Sequence, residues 1–139
     1  MRILAIDRDE MVLQMVKSKL EGEGHIVFTE QAKNNAVDRL AKEEFDVILL
    51  DPTPLTSPRP VILNIRRATK NNPYILLLSE SVSLEEAVKA GSNDLLEKPI
   101  DPVAFEQKID NARYFSDLVQ RIGDDSEDFP SAGGVIAKS

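Results

Sequence analysis

The 139-residue chain carries a formal net charge of −7, from 17 Lys and Arg against 24 Asp and Glu. This length suits one core of ordinary size and is too short for two comfortable domains. The acidity argues against direct nucleic-acid binding by this segment, because contacts with phosphates need a basic face. The lack of cysteine excludes a disulfide framework and a thiolate metal site.

The chain shows no sequence signal for export or for a membrane. Its start, Met1-Arg2-Ile3, runs straight into a predicted strand and leaves no room for a signal peptide. No apolar run approaches the ~20 residues that a membrane-spanning helix needs. We therefore expect a cytoplasmic protein that does not contact the membrane.

Apolar strands alternate with amphipathic helices over most of the chain. The predicted strands cover residues 2–6, 25–29, 45–50, 74–78 and 93–97. The predicted helices begin near residues 9, 32, 60, 83 and 101 and end near 22, 43, 70, 90 and 122. Five strand-then-helix units in a row predict an α/β fold, with a five-stranded parallel sheet and helices on both of its faces.

Three-and-four spacing of apolar residues predicts which helix faces pack on the sheet. These residues are Met11, Val12, Met15, Val16 and Leu20 in the first helix, Ala36, Leu40 and Ala41 in the second, and Phe105, Ile109 and Ala112 in the last. Three polar residues carry no predicted role. His25 is expected at a strand edge, and Asp46 and Asp94 at the surface or in turns.

Polar side chains follow the predicted strands where each strand ends. Asp7 and Asp9 follow the first strand, Asp51 follows the third, Ser79 ends the fourth, and Lys98 follows the fifth. In an open parallel sheet these ends meet at one crevice. Carboxylates, a hydroxyl and an ammonium that converge there predict a site for a transferable phosphoryl group.

The order Asp7, Asp51, Ser79, Lys98-Pro99 across residues 1–122 resembles the receiver domain of bacterial two-component response regulators. Residues 90–100, which read Ala-Gly-Ser-Asn-Asp-Leu-Leu-Glu-Lys-Pro-Ile, are similar to that family's end-of-sheet signature. The resemblance implies a flavodoxin-like (βα)5 receiver fold over residues 1–122. It also implies a regulatory module that is not an enzyme beyond its own phosphorylation and dephosphorylation.

The resemblance assigns a role to each residue of the site. Asp51 accepts a phosphoryl group from the phosphohistidine of a histidine kinase, acting as a carboxylate nucleophile. Asp7, Asp51 and the backbone carbonyl of Thr53 hold Mg²⁺. The Ser79 hydroxyl turns toward the phosphoryl group, and Lys98 pairs with its charge.

Some residues near this site depart from the family pattern, and one proline affects its backbone. Arg8 stands where the family usually has a second acid that ligates the metal, and Asp9 comes one step later, so weak Mg²⁺ binding is expected. Arg8 either contacts the phosphoryl group, because guanidinium matches phosphate geometry, or points to solvent. Leu95 occupies the switch position that is normally aromatic. Pro99 is expected to follow a cis peptide bond.

The sequence is also compatible with two other functions. The departures at Arg8 and Leu95 favour a pseudo-receiver, an interaction module of the same fold that works without phosphorylation. The stretch 3–9 also resembles the Asp-x-Asp opening of haloacid-dehalogenase-type phosphotransferases, in which Asp7 would be the nucleophile. That enzyme interpretation leaves Asp51 without a role.

The carboxyl-terminal part carries two further predictions. Residues 123–139 are acidic and then rich in turn formers, which predicts a flexible linker. Residues 129–139 loosely resemble the opening of the ATPase domain of sigma-54-dependent transcription activators. The last helix is longer than the sheet, so its later apolar residues are expected to project and form a homodimer; these are Phe115, Leu118, Val119 and Ile122.

Overall fold

A parallel sheet with helices on both faces forms the centre of the protein. The computed structural model describes residues 1–55 and 57–128, with side chains through Ile122. The strands are β1 (Arg2–Ile6), β2 (Ile26–Glu30), β3 (Val47–Leu50), β4 (Tyr74–Ser79) and β5 (Asp94–Glu97). The helices are α1 (Glu10–Gly22), α2 (Lys33–Leu40), α3 (Arg59–Ala68), α4 (Leu84–Ala90) and α5 (Pro102–Asp128).

The five strands run parallel in the order β2-β1-β3-β4-β5. This is the flavodoxin-like order, in which the direction of strand addition reverses beside β1, and it confirms the predicted fold. Strands β3 and β4, which lie between β1 and β5 in the sheet, are buried along their whole length. Their near-continuous apolar runs are typical of strands covered on both faces.

Alternation along the strands divides the core into two layers. One layer combines Ile3, Ala5, Val47, Leu49, Leu76 and Leu78 with apolar residues of α1 and α5. The other combines Leu4, Ile6, Ile48, Leu50, Ile75 and Leu77 with apolar residues of α2, α3 and α4. The predicted sheet contacts of α5, namely Phe105, Ile109 and Ala112, are confirmed, since all three lie in the first layer.

Two of the predicted helix faces were partly wrong. In α1 the buried stripe is Leu13, Val16 and Leu20, while Met11 and Met15 are 81% and 50% exposed. At 100° per residue, Met11 and Met15, each two positions from Leu13, lie on the opposite side of the helix. The helix α2 ends at Leu40, three residues earlier than predicted, and Ala41 is exposed rather than inward.

Element boundaries also shift by a few residues. The strand β2 begins at Ile26 because the amide of His25 donates to the Leu20 carbonyl, at 3.1 Å, and so closes α1. The helix α3 stops at Ala68 because Thr69 is already extended, at φ −85° and ψ 139°. The strand β3 begins at Val47, two residues after the predicted start.

The three polar residues without a predicted role all make specific contacts. His25 is buried, with Nδ1 3.1 Å from the Met1 amino nitrogen and Nε2 3.2 Å from an Arg113 nitrogen. Burial, followed by these two cations, lowers the pKa of His25. Asp46 accepts a hydrogen bond from the Arg2 amide at 2.8 Å, and Asp94 forms an ion pair.

The last helix continues beyond the predicted boundary at Ile122. It runs 27 residues to Asp128, so residues 123–128 are helical where a linker was predicted. Phe115 packs on the first core layer, with its ring centroid 5.4 Å from that of Tyr74, and so does not project as predicted. Leu118 and Ile122 are 37% and 57% exposed.

Residues 129–139, where the ATPase-like resemblance falls, lie outside the described residues. Within the described part of the chain, no helix combines the length and the apolar character that crossing a bilayer requires.

Candidate functional site

The strand register brings Asp7 and Asp51 to neighbouring positions. Ile6 of β1 pairs with Leu50 of β3, and each is followed directly by one of the two aspartates. The Asp51 amide extends this ladder by donating to the Ile6 carbonyl at 2.9 Å. Both aspartates are buried, at 3% and 7% exposure. The sheet alone therefore places two carboxylates side by side.

Lys98 joins these two carboxylates from the end of β5. Its Nζ lies 2.6 Å from Asp7 Oδ2 and 2.5 Å from Asp51 Oδ2. Burial lowers the pKa of the Lys98 ammonium, but the hydrogen bonds to Asp51 and Asp7 outweigh burial and raise that pKa above its ordinary value. The ammonium therefore neutralises the repulsion between two buried acids.

The second oxygen of Asp51 is held by the loop that follows β3. Asp51 Oδ1 accepts hydrogen bonds from the Thr53 amide, at 2.7 Å, and from the Thr53 hydroxyl. Burial would raise the pKa of Asp51, but the bonds from Lys98 and Thr53 outweigh burial and lower that pKa. Asp51 is thus a buried carboxylate that stays ionised at neutral pH.

The two acids that follow β1, Asp7 and Asp9, also accept hydrogen bonds from backbone amides. Asp7 Oδ1 accepts a hydrogen bond from the Asp9 amide at 2.9 Å. Asp9 caps α1, since its Oδ1 accepts from the Met11 amide at 2.9 Å. Asp9 nevertheless lines the open cleft above Asp7 and Asp51, together with Arg8.

A cation that the sequence analysis missed lies on the Thr53 side of the cleft. The Nζ of Lys33, in the first turn of α2, donates to the Thr53 carbonyl oxygen at 2.5 Å. Arg8 is exposed, and its backbone carbonyl accepts a hydrogen bond from the Gln31 side chain at 3.0 Å. The sequence signal for Lys33 was its position just after β2, the strand beside β1.

The oxygen atoms expected to ligate Mg²⁺ do not fit that metal in this arrangement. Both oxygens of Asp7, both oxygens of Asp51 and the Thr53 carbonyl already accept hydrogen bonds, and each of the three groups accepts one from a lysine ammonium. Mg²⁺ requires negatively charged or free oxygen ligands in near-octahedral geometry. In the described part of the chain no cluster of three or more His, Cys, Asp or Glu is arranged to hold a metal ion.

Ser79 and Leu95 lie near this cleft without lining it. The buried Ser79 hydroxyl accepts hydrogen bonds from the Ser81 and Val82 amides, both at 3.1 Å. Among the described residues, the Ser79 hydroxyl makes no hydrogen bond with Asp51 or with the Lys98 side chain. Leu95 is 9% exposed and packs in the second core layer.

Two peptide bonds beside the cleft are cis. One is the bond from Lys98 to Pro99, where the sequence predicted a cis bond. The other is the bond from Thr53 to Pro54, which the sequence analysis did not single out.

Comparison with known proteins gives these features a family context. The family model described as response regulator receiver domain matches residues 3–110. The transcriptional regulatory protein CrdR of Helicobacter pylori is 29% identical over 123 residues, which is 84% of this chain and 55% of that protein. The cell cycle transcriptional regulator CtrA of Caulobacter vibrioides is 34% identical over 103 residues, which is 71% of this chain and 44% of that protein.

A solved structure shows the same architecture. The chemotaxis protein CheY4 of Vibrio cholerae is 26% identical and superposes with a TM-score of 0.70, covering 80% of this chain and 97% of that chain. The chain spans about half the length of the curated relatives it matches, 55% and 44%.

Proposed function

The chain belongs to the response regulator receiver domain family, and from that premise we propose that Asp51 is its phosphoacceptor. One observation carries this proposal: the buried Asp51 carboxylate shares the Lys98 ammonium with Asp7 at the carboxyl edge of the sheet. Such a carboxylate is held in one orientation and has a cation beside it. Both properties favour attack on a phosphorus atom.

The transfer breaks one bond and forms another. An oxygen of Asp51 forms a bond to phosphorus while the P–N bond of a kinase phosphohistidine breaks. The electron pair of that bond leaves with the imidazole nitrogen, which takes a proton from solvent. The lowered pKa of Asp51 keeps the nucleophile ionised, and Lys98 is placed to bind the phosphoryl oxygens.

Receiver domains are phosphorylated by histidine kinases, and we place this chain in that role, in the cytoplasm, as part of a regulator of transcription. The names of the relatives CrdR and CtrA describe transcriptional regulators, which supports a transcriptional output. This acidic segment is proposed to act through its output partner without binding nucleic acid itself. The comparisons favour neither the pseudo-receiver nor the phosphotransferase with Asp7 as nucleophile.

The experiment is phosphorylation by phosphoramidate, a small phosphodonor, followed by intact-mass measurement. The wild type should gain one phosphoryl group, whereas Asp51→Asn should gain none. Asp38→Asn, at an exposed position of α2, is the matched control and should behave as the wild type. A gain in mass that persists in Asp51→Asn and disappears in Asp7→Asn would instead support the phosphotransferase interpretation.

We also propose that the exposed end of α5 forms a homodimer contact. Leu118, Ile122 and the neighbouring Tyr114 are exposed, at 37%, 57% and 70%, along one stretch of a helix that outruns the sheet. Exposed apolar residues at three-and-four spacing are typical of a helix that packs on a partner.

Light scattering tests this contact. The wild type should be dimeric at high micromolar concentration, and Leu118→Glu/Ile122→Glu should be monomeric. Val103→Glu, at another exposed apolar position of α5, is the control and should leave the dimer intact. A wild type that stays monomeric would rule out the proposed contact.

A further inference from the structure

We propose that Lys33 and Arg8, together with Lys98, bind the phosphoryl oxygens directly and make phosphorylation of Asp51 independent of a divalent metal. This inference rests on the proposed function of Asp51. It assigns Lys33, at the start of α2, to the site. It also assigns to two side-chain cations the neutralising role that Mg²⁺ generally has in receiver domains.

The position of Lys33 is the first support. Its ammonium binds the Thr53 carbonyl, while the amide and hydroxyl of the same Thr53 bind Asp51. One residue therefore connects the cation to the proposed acceptor. Burial lowers the pKa of Lys33 and the positive charge of Arg8 adds to that effect, whereas the charges of Asp51 and Asp7 oppose it. Lys33 thus lies within electrostatic range of both acids.

The Thr53 carbonyl is also the backbone oxygen that the family resemblance assigns to the metal. A metal ion at that oxygen would have to displace the Lys33 ammonium. It would also compete with Lys98, whose Nζ already bridges Asp7 Oδ2 and Asp51 Oδ2. Each displacement breaks a charge-assisted hydrogen bond, which opposes metal binding.

Arg8 supplies the second cation. It lines the same open cleft as Asp7, Asp51 and Lys98, and it is exposed. None of the ion pairs within the described ranges, 1–55 and 57–122, includes Arg8. A guanidinium presents paired N–H donors that match two phosphoryl oxygens. Arg8 is therefore available to an anion that enters the cleft.

The charge balance of the cleft agrees with this role. The three acids Asp7, Asp9 and Asp51 are offset by three cations, which are Lys33, Lys98 and Arg8. Phosphorylation replaces the single charge on Asp51 by about −2 and leaves the cleft with about one excess negative charge. Mg²⁺ in the unphosphorylated cleft would instead create an excess of two positive charges, which is unfavourable beside three cations.

The test compares phosphorylation by phosphoramidate in EDTA and in Mg²⁺, followed by intact mass over time. In this reaction the P–N bond of the donor breaks, ammonia leaves after taking a proton from solvent, and the Asp51 oxygen binds phosphorus. Wild-type rates in the two buffers should agree within about twofold. Lys33→Met and Arg8→Ala should each slow the EDTA reaction about tenfold or more, the effect of losing one charge-assisted contact.

Two variants control for the loss of a surface cation. Lys42→Met and Arg67→Ala remove exposed cations remote from the cleft and should keep the wild-type rate. Lys33→Arg retains a cation and should recover most of the rate lost in Lys33→Met. Calorimetric titration with Mg²⁺ alone should give much tighter binding to Arg8→Asp than to the wild type, because a hard oxygen ligand replaces a cation.

The outcomes separate this inference from the function on which it rests. Wild-type phosphorylation that needs Mg²⁺ would overturn the inference and leave Asp51 as acceptor. Unchanged EDTA rates in both Lys33→Met and Arg8→Ala would also overturn it. Equal Mg²⁺ affinity of the wild type and Arg8→Asp would count against it in the same way. No phosphorylation of the wild type in either buffer would overturn both proposals.

Discussion

The cleft around Asp51 and the neighbouring region around Ser79 and Leu95 use their side chains differently. In the cleft, acids and cations bind one another, with Lys98 shared between Asp7 and Asp51. Next to it, the Ser79 hydroxyl is held by amides of its own loop, and Leu95 is an aliphatic side chain buried in the core. The charge network is therefore where an added phosphoryl group acts first.

The backbone of Lys98, directly after β5, links the two regions. The Lys98 amide donates to the Ser79 carbonyl at 3.1 Å, so the residue that senses charge in the cleft is hydrogen-bonded to the end of β4. The Ser79 hydroxyl oxygen accepts from two amides, which fix its position, and its proton stays free to donate. Lys98 can exchange one anionic partner for another as the charge in the cleft changes.

The largest effect should come from breaking the charge network. Lys98→Met leaves two buried carboxylates facing each other and should lower the free energy of unfolding at neutral pH by about 3 kcal/mol, measured in urea. The exposed pair of Lys89 and Glu85 provides the control, and Lys89→Met should change that free energy by less than about 0.5 kcal/mol.

The same variant has a defined pH dependence. Without Lys98 the two buried carboxylates repel each other when both are ionised, so protonation of one of them stabilises the folded protein. The deficit of Lys98→Met should therefore shrink as the pH falls from neutral. Asp51→Asn/Lys98→Met should recover part of the stability, and a double variant as unstable as the single one would contradict this explanation.

A smaller effect is expected in the Ser79 region. Ser79→Ala removes the acceptor of the Ser81 and Val82 amides and should lower the free energy of unfolding by about 1 kcal/mol. Because the Ser79 hydroxyl makes no hydrogen bond with Asp51 or the Lys98 side chain among the described residues, the rate of phosphorylation by phosphoramidate should change less than about threefold. A much larger loss of rate without loss of stability would place the hydroxyl on the phosphoryl group.

The sequence predicted the centre of the site because strand patterns and the topology of a parallel sheet determine it. Apolar runs mark the strands, and parallel strands bring their carboxyl ends to one edge, so Asp7, Asp51 and Lys98 had to meet. Lys33 was missed because its position just after β2 does not by itself show that its long side chain reaches Thr53. Side-chain reach of this kind depends on the loop geometry.

Errors in the helix faces have a related cause. In α1 the spacing of Met11 and Met15 is as regular as that of the buried stripe, and only the docking of α1 on the sheet decides between them. Phe115 was misplaced because it is buried by a partner distant in sequence, Tyr74. Local periodicity does not encode such contacts.

The smallest effect concerns Tyr74, whose environment contrasts with that of Asp51. Burial, followed by the charge of Asp94, raises the pKa of Tyr74 to about 12, whereas hydrogen bonds lower the pKa of Asp51. The chain has two tyrosines, so Tyr114→Phe leaves Tyr74 alone, and its absorbance should titrate with a midpoint near 12. Because the folded-state pKa lies above the ordinary value of 10.0, the contribution of Tyr74 to stability is complete below pH 10 and is lost between pH 10 and 12. Asp94→Asn in the same background should lower the midpoint, since it removes the neighbouring negative charge. A midpoint that stays at 10.0 in the intact, folded chain would show that the pairing of Tyr74 with Asp94 does not persist in solution.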